Sequence, residues 1–286
     1  MRTVGIETEF PFYYNRMMPE LCALIEEMSQ ATGHPFINFF DRYGIPKNHW
    51  CLKSEGSRIE ITSPPVEDAR KLLPAYKLVK PVLSKQTEVN NHRTGIHVHV
   101  FVRDFTSAKL CQLIGEMARF EDFLFHIQPK HRRDCGWCRP LKRIFSGELQ
   151  RSQQIGRVPV SRRVKGLDFW KRVDSRDFEK LTRGMRGGSF CSKGIAMNVY
   201  PYFEAYGTAE FRIANWTYEA EDIVNWARLC HCFVEAIANR KSSLPGSRRL
   251  SAFLKNIKAP DDVADWAKKK TRENKEGQRV ALSLRR

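Results

Sequence analysis

The chain has 286 residues, 42% of them apolar and 11% aromatic, and sets 49 Lys and Arg against 32 Asp and Glu for a formal net charge of +17. That much apolar material excludes a disordered or fibrous chain, and no run reaches the ~18 consecutive apolar residues of a membrane span. The length favours one large domain, or one core with an insertion, over several modules.

The N-terminal MRTVGIETEF carries two carboxylates where an export signal needs an apolar run, so a cytoplasmic protein with reduced cysteines is expected. Val4 to Phe10 then alternates, with Val4, Ile6, Thr8 and Phe10 on one face of a strand and Glu7 and Glu9 on the other. A helix follows over about Pro19 to Ser29. In Arg58 to Ser63, Ile59 and Ile61 oppose Arg58 and Glu60, and a second helix spans Glu67 to Leu83. Gly95 to Phe101 sets Ile96, Val98 and Val100 against His97 and His99. The clearest helix runs from Ser107 to Ile127, with Leu110, Leu113, Met117, Phe120, Leu124 and Ile127 on one side.

Residues 130–193 hold 18 bases and 6 acids. Gly147, Gly156, Pro159, Gly166 and the run RGMRGGS ending at Ser189 predict long loops there, broken by a short helix around Phe169 to Leu181. A weaker strand, Ile195 to Tyr200, sets Asn198 against Ile195, Met197 and Val199, and Thr208 to Ile213 sets Glu210 and Arg212 against Ala209, Phe211 and Ile213. A helix over about 219–238 uses Ile223, Trp226, Cys230, Phe233 and Ile237. Residues 239–286 carry 14 bases and 5 acids, a helix start at Pro260, Asp261 and Asp262, and little expected order beyond Lys270. The organisation reads as a body over 1–238, a basic insertion at about 130–193 and a basic helical tail over 239–286. Clustered positive charge of this kind favours phosphate-rich partners, nucleic acid included.

Helices interspersed among these strands can cover one apolar face of a sheet, which predicts an α+β domain with the other face open to a cleft. That open face would gather Glu7, Glu9, Glu60, Glu210, His97, His99 and Arg212, with no lysine from these strands. Carboxylates at i and i+2 on a strand stand roughly 6.5–7 Å apart, so Glu7 and Glu9 can bracket one cation or reach two. Oxygen donors with one or two imidazoles suit Mg²⁺ or Mn²⁺ together with a nucleoside triphosphate. Crowded carboxylates would raise one another's pKa unless a cation compensates them.

In this order, GIETEF, LKSEGSRIEITSPP, TGIHVHV, HRRDCGWCRPL and TAEFR with its following NWT resemble the amidoligase family, relatives of glutamine synthetase and the glutamate–cysteine ligases. The resemblance runs from Val4 to about Ile237. It implies a carboxylate–amine ligase with a curved, mainly antiparallel sheet of the glutamine synthetase-like type, helices on one face, and ATP with Mg²⁺ or Mn²⁺ in an open funnel on the other. Carried over residue by residue, Glu7, Glu9, Glu60 and Glu210 match the metal carboxylates. His97 or His99 matches the nucleotide or metal histidine, Arg212 a phosphate-binding arginine, and Arg132 and Arg133 a basic pair beyond the long helix; Lys53 and Asn198 are expected with the histidines on the cofactor side, and Arg212 with Arg132 or Arg133 on the transferring phosphate. The substrates implied are an amine and a carboxylate. The chain departs from the family in having Glu55, Gly56 and Ser57 where Asp-Gly-Ser is usual, and Asn215–Trp216 before Thr217.

Four other readings compete. Cys135 and Cys138 with His131, and the distant Cys230–His231–Cys232, have ligand types suited to zinc, but the second group falls within a helix where i and i+2 point apart. His97 and His99 with one Glu could hold non-haem iron, which leaves Glu9 and Arg212 without a role. A nucleophilic cysteine lacks support, because none of these strands puts a Cys on its polar face. No G-x-x-x-x-G-K-[ST] loop exists. The last alternative is a non-catalytic nucleic-acid-binding protein, with Phe169 and Trp170 among the bases of the insertion.

Overall fold

The computed structural model describes residues 2–11, 18–38, 48–55, 58–85, 94–134, 136–141, 194–203 and 206–283. The loops and short helix read within 142–193, and Cys135, lie outside the described residues. Seven strands among the described residues build one mostly antiparallel sheet that does not close, and with the helices they make an α+β fold. The chain divides into two compact units, residues 1–101 with 214–231, and residues 102–213 with 232–286.

The first unit contains β1 (Val4–Phe10), α1 (Met18–Thr32), β2 (Phe36–Asn38), β3 (Trp50–Glu55), β4 (Arg58–Thr62), α2 (Leu73–Leu83) and β5 (Gly95–Phe101). Its strands lie in the order β2-β3-β4-β1-β5, all antiparallel neighbours except the parallel pair β2 and β3. The alternation read from the sequence decides what is buried. Val4, Ile6 and Phe10 of β1, Ile59 and Ile61 of β4, and Ile96, Val98 and Val100 of β5 are all inside. Burying such side chains contributes about 1.5–3 kcal/mol each, which fixes the register, since a one-residue slip would expose the whole set. Trp50 meets Tyr76 of α2 edge-on at 5.7 Å, and its Nε1 donates to Thr32 Oγ1 of α1 at 2.8 Å. Both helices are thereby tied to β3, a strand that the alternation pattern had not revealed. The helix expected over Glu67 to Leu83 opens as a 3₁₀ turn, Ala69–Leu72, capped by Asp68, which accepts from Arg70 N at 2.9 Å. The α-helix proper starts only at Leu73, and Pro74 sits in its first turn, where a missing N–H is harmless.

The second unit contains α3 (Ser107–Ile127), α4 (Lys130–Asp134), β6 (Met197–Asn198), α5 (Tyr200–Phe203) and most of β7 (Thr208–Asn215). Helix α6 (Ala220–Ala238) begins in the first unit and ends in the second, which closes with α7 (Leu250–Asn256) and α8 (Asp261–Ser283). Thr106 caps α3 by accepting from Lys109 N at 3.2 Å. The apolar stripe of α3 meets α7 through Phe253, whose ring centroid lies 5.1 Å from Phe120 and 5.4 Å from Phe123. Phe233 of α6 joins them 6.0 Å from Phe253 and stands 6.2 Å from Phe211 of β7.

Two expectations change here. The strand read over Ile195 to Tyr200 is only Met197–Asn198, because Ala196 N donates to Arg139 O at 2.9 Å and turns the chain toward residue 139. Order does not fade after Lys270, since α8 continues to Ser283. Asn274 Nδ2 donates to Ile127 O at 2.7 Å, satisfying a carbonyl at the C-terminal end of α3, so a charged helix without an apolar stripe is still tied down. No helix among the described residues is long and apolar enough to cross a membrane.

Candidate functional site

Antiparallel register assembles the polar face of the first unit row by row. Glu7 of β1 lies opposite His97 of β5 on one side and Thr62 of β4 on the other. Two residues along, Glu9 lies opposite Glu60 of β4, and Glu60 lies opposite Lys53 of β3. His99 lies opposite Gly5, where no side chain competes for space. Because side chains alternate, the same residues that bury Ile6, Ile61 and Val98 behind the sheet bring four strands' worth of ionisable groups to the front.

His97 sits between the two β1 carboxylates, its Nδ1 3.6 Å from Glu7 Oε2 and its Nε2 3.9 Å from Glu9 Oε2. His99 Nε2 reaches Glu7 Oε2 at 3.5 Å. Glu9 is further held by Gly95 N, which donates to its Oε2 at 3.0 Å. Glu60 accepts from Lys53 Nζ at 2.7 Å and from Thr62 Oγ1 at 3.1 Å. Glu9, Glu60 and His97 are buried, and Glu7 and His99 are half-buried, so this constellation is built into the sheet rather than spread on a surface.

Electrostatics show how one carboxylate is compensated. Burial works against ionisation of Glu7, but the imidazoles of His99 and His97 and the ammonium of Lys53 outweigh it and hold the carboxyl well below the usual carboxylate range. Crowded carboxylates were expected to push one another upward unless compensated, and these groups of β3 and β5 supply the compensation for Glu7. For Lys53, burial favours the neutral amine, yet Glu60 and Glu7 keep it charged far above neutral pH. The lysine that the four alternating strands lacked therefore comes from β3. The same strand places Cys51 opposite Thr62, so a cysteine does occupy this face. Burial pushes its thiol up against the pull of Lys53, which argues against an ionised nucleophile at neutral pH.

A second polar group belongs to the other unit. Asn198 of β6 lies opposite Glu210 of β7 and donates from Nδ2 to its Oε2 at 2.8 Å, while Arg212 donates from Nη1 to Oε1 of the same carboxylate. Arg212 N donates to Ala196 O at 2.9 Å. The basic pair beyond α3 meets protein groups in the ligand-free fold. Arg132 is 2% exposed, and its guanidinium donates to two main-chain carbonyls, Nε to Ile213 O at 3.0 Å and Nη2 to Arg212 O at 2.9 Å. Arg133 instead runs along α3, donating to Asp122 Oδ1 at 3.1 Å with its guanidinium 5.7 Å from the centre of the Phe125 ring. Of the cysteines considered for zinc, Cys138 is buried and donates its thiol to Arg132 O at 2.8 Å, and Cys230 and Cys232 fall on α6. No single-strand pattern could have revealed Arg132 as a main-chain clamp, since its acceptors lie 80 and 81 residues away.

A family model described as "Putative amidoligase enzyme" matches residues 27–234. No curated protein matches the chain. Among solved structures, a bifunctional glutathione synthetase from Pasteurella multocida is similar with a TM-score of 0.49 at 12% identity, over 96% of this chain and 47% of that one. The chain thus spans about half the length of that protein.

Proposed function

The chain belongs to the amidoligase family, and from that premise we propose that it is an ATP-dependent ligase that joins a carboxylate to an amine, built on a glutamine synthetase-like sheet. The observation that carries the reading is the face on which Glu7, Glu9 and Glu60 stand with His97, His99 and Lys53 in adjoining strand registers. Its donors are carboxylate oxygens and imidazole nitrogens, and Glu7 is held ionised, which fits a hard divalent cation such as Mg²⁺ or Mn²⁺. Glu7, Glu9 and Glu60 would hold that cation, joined by Glu210 on the strength of the family resemblance, and bound there it would neutralise β- and γ-phosphate charge. His97 and His99 orient the Glu7 carboxylate, and Lys53 balances Glu60 while offering a cation to the nucleotide. Asn198 fixes Glu210, and Glu210 in turn fixes the Arg212 guanidinium that would meet the transferring phosphoryl group. The catalytic body in this reading is residues 1–238.

The reaction balances simply. A substrate carboxylate oxygen bonds to the γ-phosphorus of ATP as the bond to ADP breaks. The amine nitrogen then bonds to the acyl carbon, phosphate leaves, and the amine gives up a proton. Positioning and charge neutralisation suffice, so no protein nucleophile is needed and the raised Cys51 thiol is no obstacle. The test is ADP release with Mg²⁺ across a panel of amino acids, peptides and polyamines, alongside calorimetric titration of Mg²⁺-ATP into the wild type and Glu7→Gln. Affinity should fall at least about tenfold in the variant, the scale of one lost charge-assisted contact. Equal affinities would overturn the ligase reading.

A further inference from the structure

The basic charge at the C-terminal end is not distributed as a basic tail. Residues 261–276 of α8 balance five bases with five acids, whereas residues 239–258 carry Arg240, Lys241, Arg248, Arg249, Lys255 and Lys258 with no acid at all. Arg240 is half-buried, and the other five are exposed.

This acid-free strap is fixed by its main chain. Lys109, Gln112, Glu116 and Arg119 occupy one side of α3 at helical spacing, and each bonds a backbone group of the segment that follows α6. Lys109 Nζ donates to Ile237 O at 3.0 Å and also to Arg240 O, and Gln112 Nε2 donates to Ser242 O at 2.9 Å. Leu244 N donates to the buried Glu116 at 3.0 Å, Arg119 donates to Leu244 O, and Leu244 itself is buried. Asn256 of α7 completes the attachment by donating to Pro245 O at 3.2 Å and Ser247 Oγ at 2.8 Å. Because α3 grips the backbone, the strap's own cationic side chains are released to solvent on a preordered frame. Ordering that frame need not be repeated when a ligand arrives.

We propose that the strap 239–258 is a docking surface for the phosphate backbone of nucleic acid. Exposed Lys and Arg side chains on a fixed main chain, with no carboxylate in the strap itself, suit counterion-releasing phosphate contacts. A membrane fits less well. Among the described residues the large exposed hydrophobics are Trp137 and Tyr206, neither of them on the strap, so nothing there would anchor in acyl chains.

The experiment is fluorescence anisotropy of a labelled DNA duplex of about 20 base pairs titrated with the full chain across a salt series. The wild type is compared with Arg248→Gln/Arg249→Gln/Lys255→Gln, whose surface positions allow folding to be checked by an unchanged urea midpoint. Binding by the triple variant should weaken at least about tenfold at low salt, and the slope of log K against log salt should become shallower by about 2–3. A control, Lys71→Gln/Lys77→Gln at exposed positions of the first unit, should bind like the wild type. Unchanged binding by the triple variant would overturn the proposal, as would an absence of salt-dependent duplex binding, or capture by anionic phospholipid vesicles in its place.

Discussion

Replacing Arg132 tests whether one buried guanidinium holds the strand that carries Arg212. In Arg132→Met the volume is nearly kept, but the carbonyls of Arg212 and Ile213 lose donors now at 2.9 and 3.0 Å. Leaving a buried acceptor unsatisfied costs about 1–3 kcal/mol, so two come to about 2–6 kcal/mol. Removing a charge from a site that is 2% exposed recovers part of its desolvation penalty, which places the net loss near the lower end, at about 2–3 kcal/mol. Arg132→Lys can serve one carbonyl and should lose about half as much. Urea unfolding of the three proteins reads this directly, as a shift in midpoint at constant slope. Turnover by the folded Met variant should fall as well, because Arg212 would keep its Ala196 contact but lose the anchor on its own carbonyl. A stability change below about 0.5 kcal/mol, the range of ordinary surface substitutions, would refute the clamp.

Glu7 has a depressed pKa in the folded protein, so its ionised form stabilises the native state above the ordinary carboxylate pKa of about 4.3, and that contribution disappears as pH falls through the lowered value. Without added metal, wild type should therefore exceed Glu7→Gln in stability at neutral pH, and denaturant titrations should show the gap closing well below pH 4; a gap independent of pH would contradict the compensated face. Lys53→Met strands the buried Glu60 and should cost about 3–5 kcal/mol, most of it regained in Lys53→Met/Glu60→Gln. If the double variant is no more stable than the single one by thermal unfolding, Lys53 does not act by balancing Glu60.

The parts of this fold that could be read in the sequence are those whose information is local. β1, β4 and β5 alternate cleanly, and α3 has an uninterrupted apolar stripe, so their limits emerge almost unchanged in the structure. β3 escaped because Cys51 between Trp50 and Leu52 blurs the alternation into a short apolar run, and β2 is only three residues long. The acidic and imidazole members of the site were legible from strand faces alone. What compensates them was not, because the pairing of Lys53 with Glu60 and of Glu7 with His97 depends on register between strands. Arg132 and Arg133 show the same limit in reverse. The resemblance suggested phosphate for them, whereas the protein acceptors they meet are set by how α4 and α3 fold back on the chain.

The row of polar side chains along α3 also bears on the order in which the protein can form. That helix accepts from Leu141, Leu244 and Asn274, partners 20, 128 and 147 residues away from Glu121, Glu116 and Ile127. Loops of that length must close before the bonds reward closure, which slows folding. During synthesis α3 therefore emerges with Glu116 and Glu121 still awaiting their main-chain donors, and its burial is completed only after nearly half of the chain has followed it. Until then the nascent helix has an apolar stripe to cover, with Glu116 paired to Arg119 one turn on, and that interval is open to misassociation.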